Sequence, residues 1–485
     1  MKINQKFQFV LILCLALSCI SQVQAQKIQR ISVSSSNEQG NDYSNNADVS
    51  ETGRYVVFTS HSSNLAGGDL VYKDRLVYIR DIDEQTTSLV STGLSSGSKL
   101  MSSSSAHSVS ANGQYVVFNV SRGGIGGGGD VALRNMQESY YRIISNEIAG
   151  PSSQYVNSYN PSISSDGRYI AYTSTGNLTN DAKNSGENVY LYDTVMRLTK
   201  LVSKPIPGSL APNLSPRAAS SGAMISRNGL FIVYTTTANN IVHNNLDRSG
   251  ERVVLYDVTN DSTSLVSTQY TPTSPATGRY DSNGASISDD GRFVAYGSKT
   301  NFIGGVDKMG VDSYEFYVKD ILLGTTKVVS KNYDGLFSPE TAKAANRVKS
   351  ARISGNGRFV VYSSSFGDRV RNDINNVSDV FLYDIILNVT TLESRTIEGK
   401  QLIRDAGLGS LNPSISSDGN YVTFSTADGA VDQCDEDANY FSRMGIPVND
   451  VFLINTQAAY SEGLGCEMCF VMPTKNKSAG SLICL

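Results

Sequence analysis

The sequence predicts an all-β fold, a seven-bladed β-propeller of four-stranded antiparallel blades whose ring is closed by the N-terminal strand. One nine-residue pattern recurs seven times, with Ser first, usually Asp or Asn third, Gly fourth, and aromatic residues sixth and ninth. Its glycines lie 54 to 66 residues apart, and a fixed period of this size is typical of repeated supersecondary units. The copies begin at Ser50, Ser110, Ser164, Ser226, Ser288, Ser354 and Ser416.

One repeat, residues 160–203, shows the strands that each unit supplies. Residues 161–164 and 169–174 are strand-like and flank a Ser-Asp-Gly-Arg turn, in which Gly provides positive φ and Asp caps the backbone. Residues 169–174 alternate as expected for a strand, and residues 189–193 and 199–203 are the third and fourth strands. Four antiparallel strands repeated radially form a propeller blade. Immunoglobulin-like sandwiches need about 100 residues per domain, and β-helix rungs are much shorter than these repeats.

The two ends of the repeat array predict how the ring closes. The seventh repeat has three strand-like segments, but no fourth strand follows residue 455. The missing segment is found at residues 28–34, which end in the Val-Ser of the other fourth strands. We therefore expect the N-terminal strand to complete blade seven and leave no blade without its outer strand.

The N-terminus has the features of a processing signal. Lys2 and Lys6 precede an apolar run over residues 7–20, and Val23-Gln24-Ala25 is a small-residue cleavage site. We expect a signal peptide over residues 1–25, a propeller over 26–456 and a cysteine-containing tail over 457–485. Lipid attachment at Cys19 is the alternative to cleavage after Ala25. No later segment has the ~20 apolar residues of a membrane helix, so we expect an exported protein, periplasmic or secreted, without a transmembrane segment.

The charge of the chain argues against nucleic acid as a partner, and its cysteines suggest disulfides. Loss of the two signal lysines changes the formal charge from −4 to −6, and no basic stretch is long enough to suggest nucleic acid. We expect a monomer. The four cysteines of the mature chain suggest disulfides in an oxidising compartment, with three pairings open. These disulfide candidates are Cys434, Cys466, Cys469 and Cys484.

The repeats resemble the TolB-like β-propeller class, a WD-repeat-like group of exported bacterial proteins. The resemblance is carried by the turn motif with its preceding Pro, at 160–169 and 412–421, and by the third-strand pattern at 379–384. It covers nearly the whole mature chain, although the protein has no Trp and no Gly-His/Trp-Asp pair. What it implies is a rigid ring used for binding protein partners or envelope material. The class also includes enzymes, so it indicates the fold more than the function.

The long loops are the predicted functional region. Strand direction alternates, so the loops between strands two and three and between blades share one face, and the short turns lie on the other. The long loops repeat acidic and amide residues, which suit calcium but also cap turns and begin strands, the role we favour. These residues are Asn64, Asp69, Asn177, Asp181, Asn301, Asp307, Asp368 and Asp373, and, near the third strands, Asp74, Glu187, Glu251, Asp312, Asp379 and Asp450.

The blade-seven loop is the densest acidic cluster and the best candidate for a calcium site. Its predicted ligands are Asp428, Asp432, Asp435 and Asp437. No cofactor is firmly predicted, and calcium is the one candidate. The glycine-rich loop at 123–129 lacks the Lys-Ser/Thr of a phosphate-binding motif, so we expect it to be a flexible loop.

Enzyme motifs are weak in this sequence. There is no Gly-x-Ser-x-Gly elbow, and His61, His107 and His243 are interpreted as surface or turn residues instead of ligands. The leading hypothesis is an exported, non-enzymatic binding or scaffold propeller that recognises a protein or glycan through its long-loop face. The alternative is a carbohydrate-active, metal-assisted lyase or hydrolase with its site at the channel mouth. Converging His, Glu or Arg side chains in the channel would favour the enzyme.

Overall fold

Seven four-stranded antiparallel sheets form a closed ring in this computed structural model, which confirms the predicted propeller. The described residues contain no helix long and apolar enough to cross a membrane. The structure describes residues 28–66, 75–91, 107–121, 129–138, 141–145, 156–181, 186–206, 219–242, 250–267, 282–298, 302–303, 306–307, 314–336, 351–371, 373–375, 377–396, 399–402, 409–427, 449–456, 470–471 and 482–483.

The first half of the chain forms blades one to three. Strand β1 (Ile28–Arg30) precedes them. The blades then comprise β2 (Ser44–Val49), β3 (Tyr55–Ser60), β4 (Leu76–Asp81) and β5 (Thr86–Leu89); β6 (His107–Val109), β7 (Tyr115–Ser121), β8 (Gly129–Asn135) and β9 (Tyr141–Ile143); and β10 (Ser158–Ile163), β11 (Tyr169–Ser174), β12 (Asn188–Asp193) and β13 (Leu198–Leu201).

The second half forms blades four to seven and two short hairpins. The hairpins pair β20 with β21 and β31 with β32. The strands are β14 (Ser220–Ile225), β15 (Phe231–Thr236), β16 (Arg252–Asp257) and β17 (Ser262–Leu265); β18 (Ser282–Ile287), β19 (Phe293–Ser298), β20 (Phe302–Ile303), β21 (Val306–Asp307), β22 (Glu315–Asp320) and β23 (Thr326–Val328); β24 (Ala351–Ile353), β25 (Phe359–Ser364), β26 (Asp379–Asp384) and β27 (Val389–Leu392); and β28 (Leu411–Ile415), β29 (Tyr421–Thr426), β30 (Asp450–Asn455), β31 (Phe470–Val471) and β32 (Leu482–Ile483).

Blade seven is completed by the N-terminal strand, as predicted. Its strand order is β1-β30-β29-β28, and β1 pairs antiparallel with β30 so that Ile28 faces Ile454 and Arg30 faces Phe452. The first strand and the last blade of the propeller therefore share one sheet. Every blade then has an outer strand, and no third strand is left as an open edge.

The strand order gives the ring two different faces. Within each blade the first and second strands are joined by the motif turn, and the third and fourth by a short turn at the same end of the sheet. We call this end the turn face. The longer connections emerge at the other end, which we call the long-loop face. This arrangement matches the prediction.

The motif turn is held by its own side chains. In blade three the Ser164 hydroxyl accepts a hydrogen bond from the Tyr169 amide at 3.0 Å and donates one to Asp166, which also accepts from the Arg168 amide at 2.9 Å. Gly167 has φ of +74°, the left-handed region where a side chain is strained. The predicted roles of Asp and Gly in the turn are confirmed.

The same glycine also joins neighbouring blades. A Cβ atom on Gly291 of blade five would lie 2.2 Å from the Phe231 ring of blade four, far inside van der Waals contact. Each of the seven motif glycines meets the sixth-position aromatic ring of the preceding blade in this way. The pairs are Gly53 with Tyr421, Gly113 with Tyr55, Gly167 with Tyr115, Gly229 with Tyr169, Gly291 with Phe231, Gly357 with Phe293 and Gly419 with Phe359.

The core lies between blades. One cluster, for example, packs Val233 and Val253 of blade four against Val294 and Tyr317 of blade five. Blades five and six also share an ion pair between Glu315 and Arg369 (3.2 Å), with both side chains 0% exposed. Since each blade buries its faces against its neighbours, the ring is the smallest unit with a complete core.

Candidate functional site

The innermost strand of most blades contains a β-bulge that shapes the central channel. In five blades the residue four positions before the motif Ser has positive φ, and the pairing register shifts there. Asn and Gly tolerate this conformation better than other residues. The five residues are Asn46, Asn160, Gly222, Gly284 and Asn412.

The channel encloses a cavity of about 520 Å³, which we call the chamber. Its wall is formed by residues from the innermost strands of all seven blades, and its end towards the turn face is bounded by Arg227, Asp289, Gly355 and Ser417. A volume of this size is in the range of small-molecule sites.

The residue after each motif Ser forms a ring across the channel, which we call the floor. Backbone hydrogen bonds join successive blades here, from the Ala111 amide to the Ser165 carbonyl (3.0 Å) and from the Ser165 amide to the Arg227 carbonyl (2.8 Å). Further bonds join blade five to six and blade seven to one. The floor residues are Glu51, Ala111, Ser165, Arg227, Asp289, Gly355 and Ser417.

Arg227 is the largest side chain of the floor and reaches across it. From blade four its guanidinium donates to the Val109 carbonyl of blade two and the Val49 carbonyl of blade one, each at 3.0 Å. Ser165 of blade three donates to Glu51 of blade one at 2.6 Å. These bonds connect non-adjacent blades, so the floor ties the ring together at its centre.

A second crossing joins blades five and seven. Ser417 donates to the Asp289 carboxylate at 2.8 Å, and a Cβ on Gly355 between them would lie 2.1 Å from Asp289 Oδ2 and 2.3 Å from Ser417 Oγ. Only Gly leaves room for this contact. Burial raises the pKa of Asp289, and the Glu51 charge adds to this, while the Ser417 hydrogen bond and the Arg227 charge oppose it.

The floor separates the chamber from a depression on the turn face. This outer cavity has a volume of about 430 Å³ and is lined by floor residues together with Thr52, Asp290, Asn356 and Asp418. Both cavities are bounded by Asp289, Gly355 and Ser417. The channel is therefore two cavities that meet at one layer of side chains.

Above the floor, the titratable residues of the chamber lie on one side of its wall. Arg352 of blade six, Asp48 of blade one and His107 of blade two all line it, and the Asp48 carboxylate acts electrostatically on the other two. Ser414 of blade seven donates to Asp48 at 2.9 Å. On the opposite side of the wall the polar residues are uncharged: Ser162 and Ser286 accept hydrogen bonds from the backbone of the next blade.

The prediction that His107 is a surface or turn residue is wrong. His107 begins β6 and lines the chamber, and burial lowers the pKa of its imidazole to about 4, against the opposing effects of Asp48 and the Asn46 carbonyl. Within the described residues neither ring nitrogen makes a hydrogen bond of normal geometry. His61 lies where β3 ends, half-buried beside Arg75, and His243 is outside the described residues.

The predicted acidic residues beside the third strands have structural partners. Asp450 accepts from Ser32 and from Gln39 (3.0 Å), and Asp379 from Ser394 (2.5 Å) and Gln401 (2.9 Å). Burial raises the pKa of Asp379 to about 6, with a further contribution from Asp373.

The other described residues of this prediction do not line the chamber either. Glu187 accepts from Tyr159, Glu251 from Asn283 (2.7 Å), Asp373 from Gln401 (2.7 Å), and Asn64 donates to the Gln39 carbonyl (2.8 Å). Asn177, Asp181 and Asp368 lie in long loops of blades three and six, and of Asp307 only the backbone is described. Asp69, Asp74, Asn301 and Asp312 lie outside the described residues.

The predicted calcium ligands and disulfide candidates also fall outside the described part of the chain. These are Asp428, Asp432, Asp435 and Asp437, and Cys434, Cys466, Cys469 and Cys484. Within the part that the structure does describe, no three His, Cys, Asp or Glu side chains are grouped to hold a metal ion.

Exposed apolar side chains occur on both faces. On the long-loop face Tyr333, Leu336 and Ile374 are 50%, 65% and 71% exposed. On the turn face the apolar residues are at the tips of the turns between third and fourth strands of blades three, five and six. They are Val195, Met196, Leu322, Leu323, Ile386 and Leu387. The turn face therefore also presents exposed apolar side chains that a partner could contact.

Comparison with known proteins confirms the fold and leaves the family open. No family model matches the chain, and no curated protein matches it. Among solved structures it is similar to oligogalacturonate lyase from Vibrio parahaemolyticus, with a TM-score of 0.51 and 9% identity over 90% of this chain and 95% of that one.

Two further structures match the chain at lower similarity. TolB from Acinetobacter baumannii gives a TM-score of 0.38 and 13% identity over 72% of this chain and 62% of that one. The GH74 xyloglucanase from Xanthomonas campestris gives 0.44 and 10% over 82% and 52%. Identities this low show the fold alone, and propellers of this fold include enzymes as well as binding proteins, so they do not decide the function.

Proposed function

We propose that the protein is an exported binding propeller of the TolB-like class that recognises a protein or glycan partner through its long-loop face. The single observation that carries this proposal is the closed floor. Arg227, Glu51 and Asp289 are bonded within the floor, whereas the polar groups of the chamber lie on its far side, towards the long-loop face. A partner that uses the chamber would then approach from that face.

A matched pair of isoleucines in blade six tests which face binds. Ile374 in the loop after β25 is 71% exposed on the long-loop face, and Ile386 in the turn after β26 is 72% exposed on the turn face. A glutamate at either position adds a charge without disturbing the core. We expect Ile374→Glu to weaken retention of the native cell-envelope fraction on the immobilised mature chain, and Ile386→Glu to leave it unchanged.

The opposite pattern would overturn the proposal. Loss of retention with Ile386→Glu alone would assign binding to the apolar turn tips. Equal retention by both variants and the unmodified chain would show that this part of the long-loop face is not used. Matching melting temperatures of the two variants would verify that the difference is not one of folding.

The enzyme alternative has one observation in its favour. His107, Asp48 and Arg352 converge on the chamber, the arrangement named above as favouring an enzyme. A pKa near 4 makes the neutral imidazole a weak base at neutral pH, well below the optimum for general base catalysis. Release of reducing ends from acidic or neutral polysaccharides, lost in His107→Gln, would support this second function.

We propose, as part of the same function, that the protein is exported and that it binds calcium in the blade-seven loop. An exported chain would form its disulfides after leaving the cytoplasm, and calcium at Asp428, Asp432, Asp435 and Asp437 would order the blade-seven loop. We expect the melting temperature of the exported protein to fall on addition of a calcium chelator and to recover with calcium. An unchanged melting temperature would exclude the metal.

A further inference from the structure

Arg352 is a half-buried arginine at the chamber wall that makes no hydrogen bond to the described residues. It lies at the centre of β24, and the surface that remains accessible on it faces the chamber. Enclosure lowers its pKa, and the charge of Asp48 partly offsets this effect. The guanidinium thus presents hydrogen-bond donors to the chamber that the described residues do not use, and a ligand able to accept them could form charge-assisted bonds there.

Three other arginines of this ring have partners in the fold. Arg227 donates to two carbonyls of the floor, Arg80 donates to the Ser34 carbonyl and to Thr87, and Arg369 pairs with Glu315. Each of these bonds ties one part of the fold to another. Arg352 makes no such bond within the described residues, so its position is not explained by the stability of the ring.

The groups around Arg352 limit the charge of a ligand. Asp48 nearby already balances one positive charge, and the floor below carries Glu51 and Asp289 with Arg227. A dianion would meet repulsion from these carboxylates. A single carboxylate matches the planar fork of the guanidinium with two parallel hydrogen bonds and adds only one negative charge.

The remaining wall favours a ligand with further polar groups. The neutral imidazole of His107 has one N–H and one acceptor nitrogen, neither bonded within the described residues. Ser108, Asn46 and Asn160 also line the chamber. Hydroxyl groups on a ligand could exchange hydrogen bonds with these side chains.

We propose that the chamber is a binding site for a small hydroxylated monocarboxylate, with the Arg352 guanidinium holding its carboxylate and His107 a neighbouring hydroxyl. This deepens the proposed binding function, since the chamber lies at the base of the long-loop face. Its test uses purified protein and small molecules only. Its failure is therefore separate from a failure of partner binding in the isoleucine experiment.

The experiment is titration calorimetry of the full mature protein with gluconate, acetate, inorganic phosphate and glucose. We expect gluconate to bind, acetate to bind at least tenfold more weakly, and phosphate and glucose to bind more weakly still. Arg352→Gln should weaken gluconate binding at least tenfold. Arg352→Lys, which keeps the charge without the planar fork, should fall between that variant and the natural chain.

Two controls locate the effect. Arg371 is an exposed arginine over the Tyr333 ring on the long-loop face, so Arg371→Gln should leave gluconate binding unchanged. The imidazole resonances of His107, assigned with His107→Gln, should shift on gluconate addition in the natural chain. No gluconate binding, equal binding by Arg352→Gln, or tighter binding of phosphate than gluconate would each overturn the proposal.

Discussion

The floor and the chamber are built by the same seven strands, yet their charged residues behave differently. At the floor, Arg227 binds two backbone carbonyls and the carboxylates of Glu51 and Asp289 each accept a hydroxyl hydrogen bond. Arg352 lies three residues before the floor on its strand, roughly 10 Å away by the rise of a β-strand, and His107 lies four residues before it. Neither has such bonds among the described residues.

This difference separates architecture from function within one channel. Polar side chains at the floor are explained by the contacts they make between blades, so their removal should cost stability. In the chamber, Arg352 and His107 make no hydrogen bond of normal geometry to the described residues, so they contribute little to holding the ring together. Their removal should cost ligand binding instead.

The largest expected effect is at Arg227. Arg227→Met removes both bonds across the floor and leaves two carbonyls and the nearby carboxylates without their cation. We expect the free energy of unfolding to fall by about 3 kcal/mol, measured by urea denaturation.

The matched control for this variant is Arg352→Met in the chamber. It removes a cation that makes no hydrogen bond to the described residues, so stability should be unchanged or slightly higher. If the two methionine variants lost equal stability, the distinction between floor and chamber would be wrong.

The next effect is expected at Gly355. An added methyl group would displace Asp289 or Ser417 from their contact across the floor, and we expect Gly355→Ala to lower the free energy of unfolding by about 2 kcal/mol. Gly367→Ala is the control, because the Cβ there would meet its nearest atom at 3.8 Å, an ordinary contact. Equal melting temperatures for the two variants would contradict the tight floor.

The smallest effect is a pH dependence from the chamber. Burial lowers the pKa of the His107 imidazole from about 6.5 to about 4 in the folded protein. At pH values below about 6.5, the unfolded chain therefore binds this proton more tightly than the folded protein does. Stability should therefore fall as pH decreases from 6.5 towards 4, by about 1–2 kcal/mol between pH 7 and pH 5. His107→Gln should remove this part of the decrease.

The comparison with the natural chain is needed because other groups titrate in the same range. Burial raises the pKa of Asp379 to about 6, which acts in the opposite direction and is present in both proteins. Asp48 and Arg352, the charged groups that act on or share the chamber with His107, are also unchanged. Identical pH profiles for the two proteins would show that His107 is not desolvated.

The sequence was sufficient to predict the blades because their signals are local and repeated. The turn glycine, the alternating second strand and the terminal Val-Ser each recur, and the missing strand after residue 455 has its match at residues 28–34. A Pro or Ala three residues before the motif Ser also recurs, but the bulge there depends on the preceding Asn or Gly, as at Asn160 and Gly222.

The site was harder to predict because it occupies positions where the repeats differ. The second residue of the motif accepts any side chain, and it is there that Arg227, Asp289 and Gly355 combine into the floor. Their contacts join blades separated by more than one hundred residues, as between Arg227 and Val49. His107 was misjudged because the same position holds Ala or Pro in the other blades. A comparison of the residues at each variable position across the seven repeats would have identified Arg227 and His107 as the exceptions.

The contact between each motif glycine and the aromatic ring of the preceding blade has a consequence for how such a ring can evolve. A duplicated blade brings both halves of the contact with it, a recess on one side and a ring on the other, so a new copy fits between any two old ones. This contact between neighbouring blades does not determine how many blades the ring has. The side chain of Arg227 does, because its hydrogen bonds to Val49 and Val109 suit a ring of this diameter. Once acquired, it would select against the gain or loss of a blade.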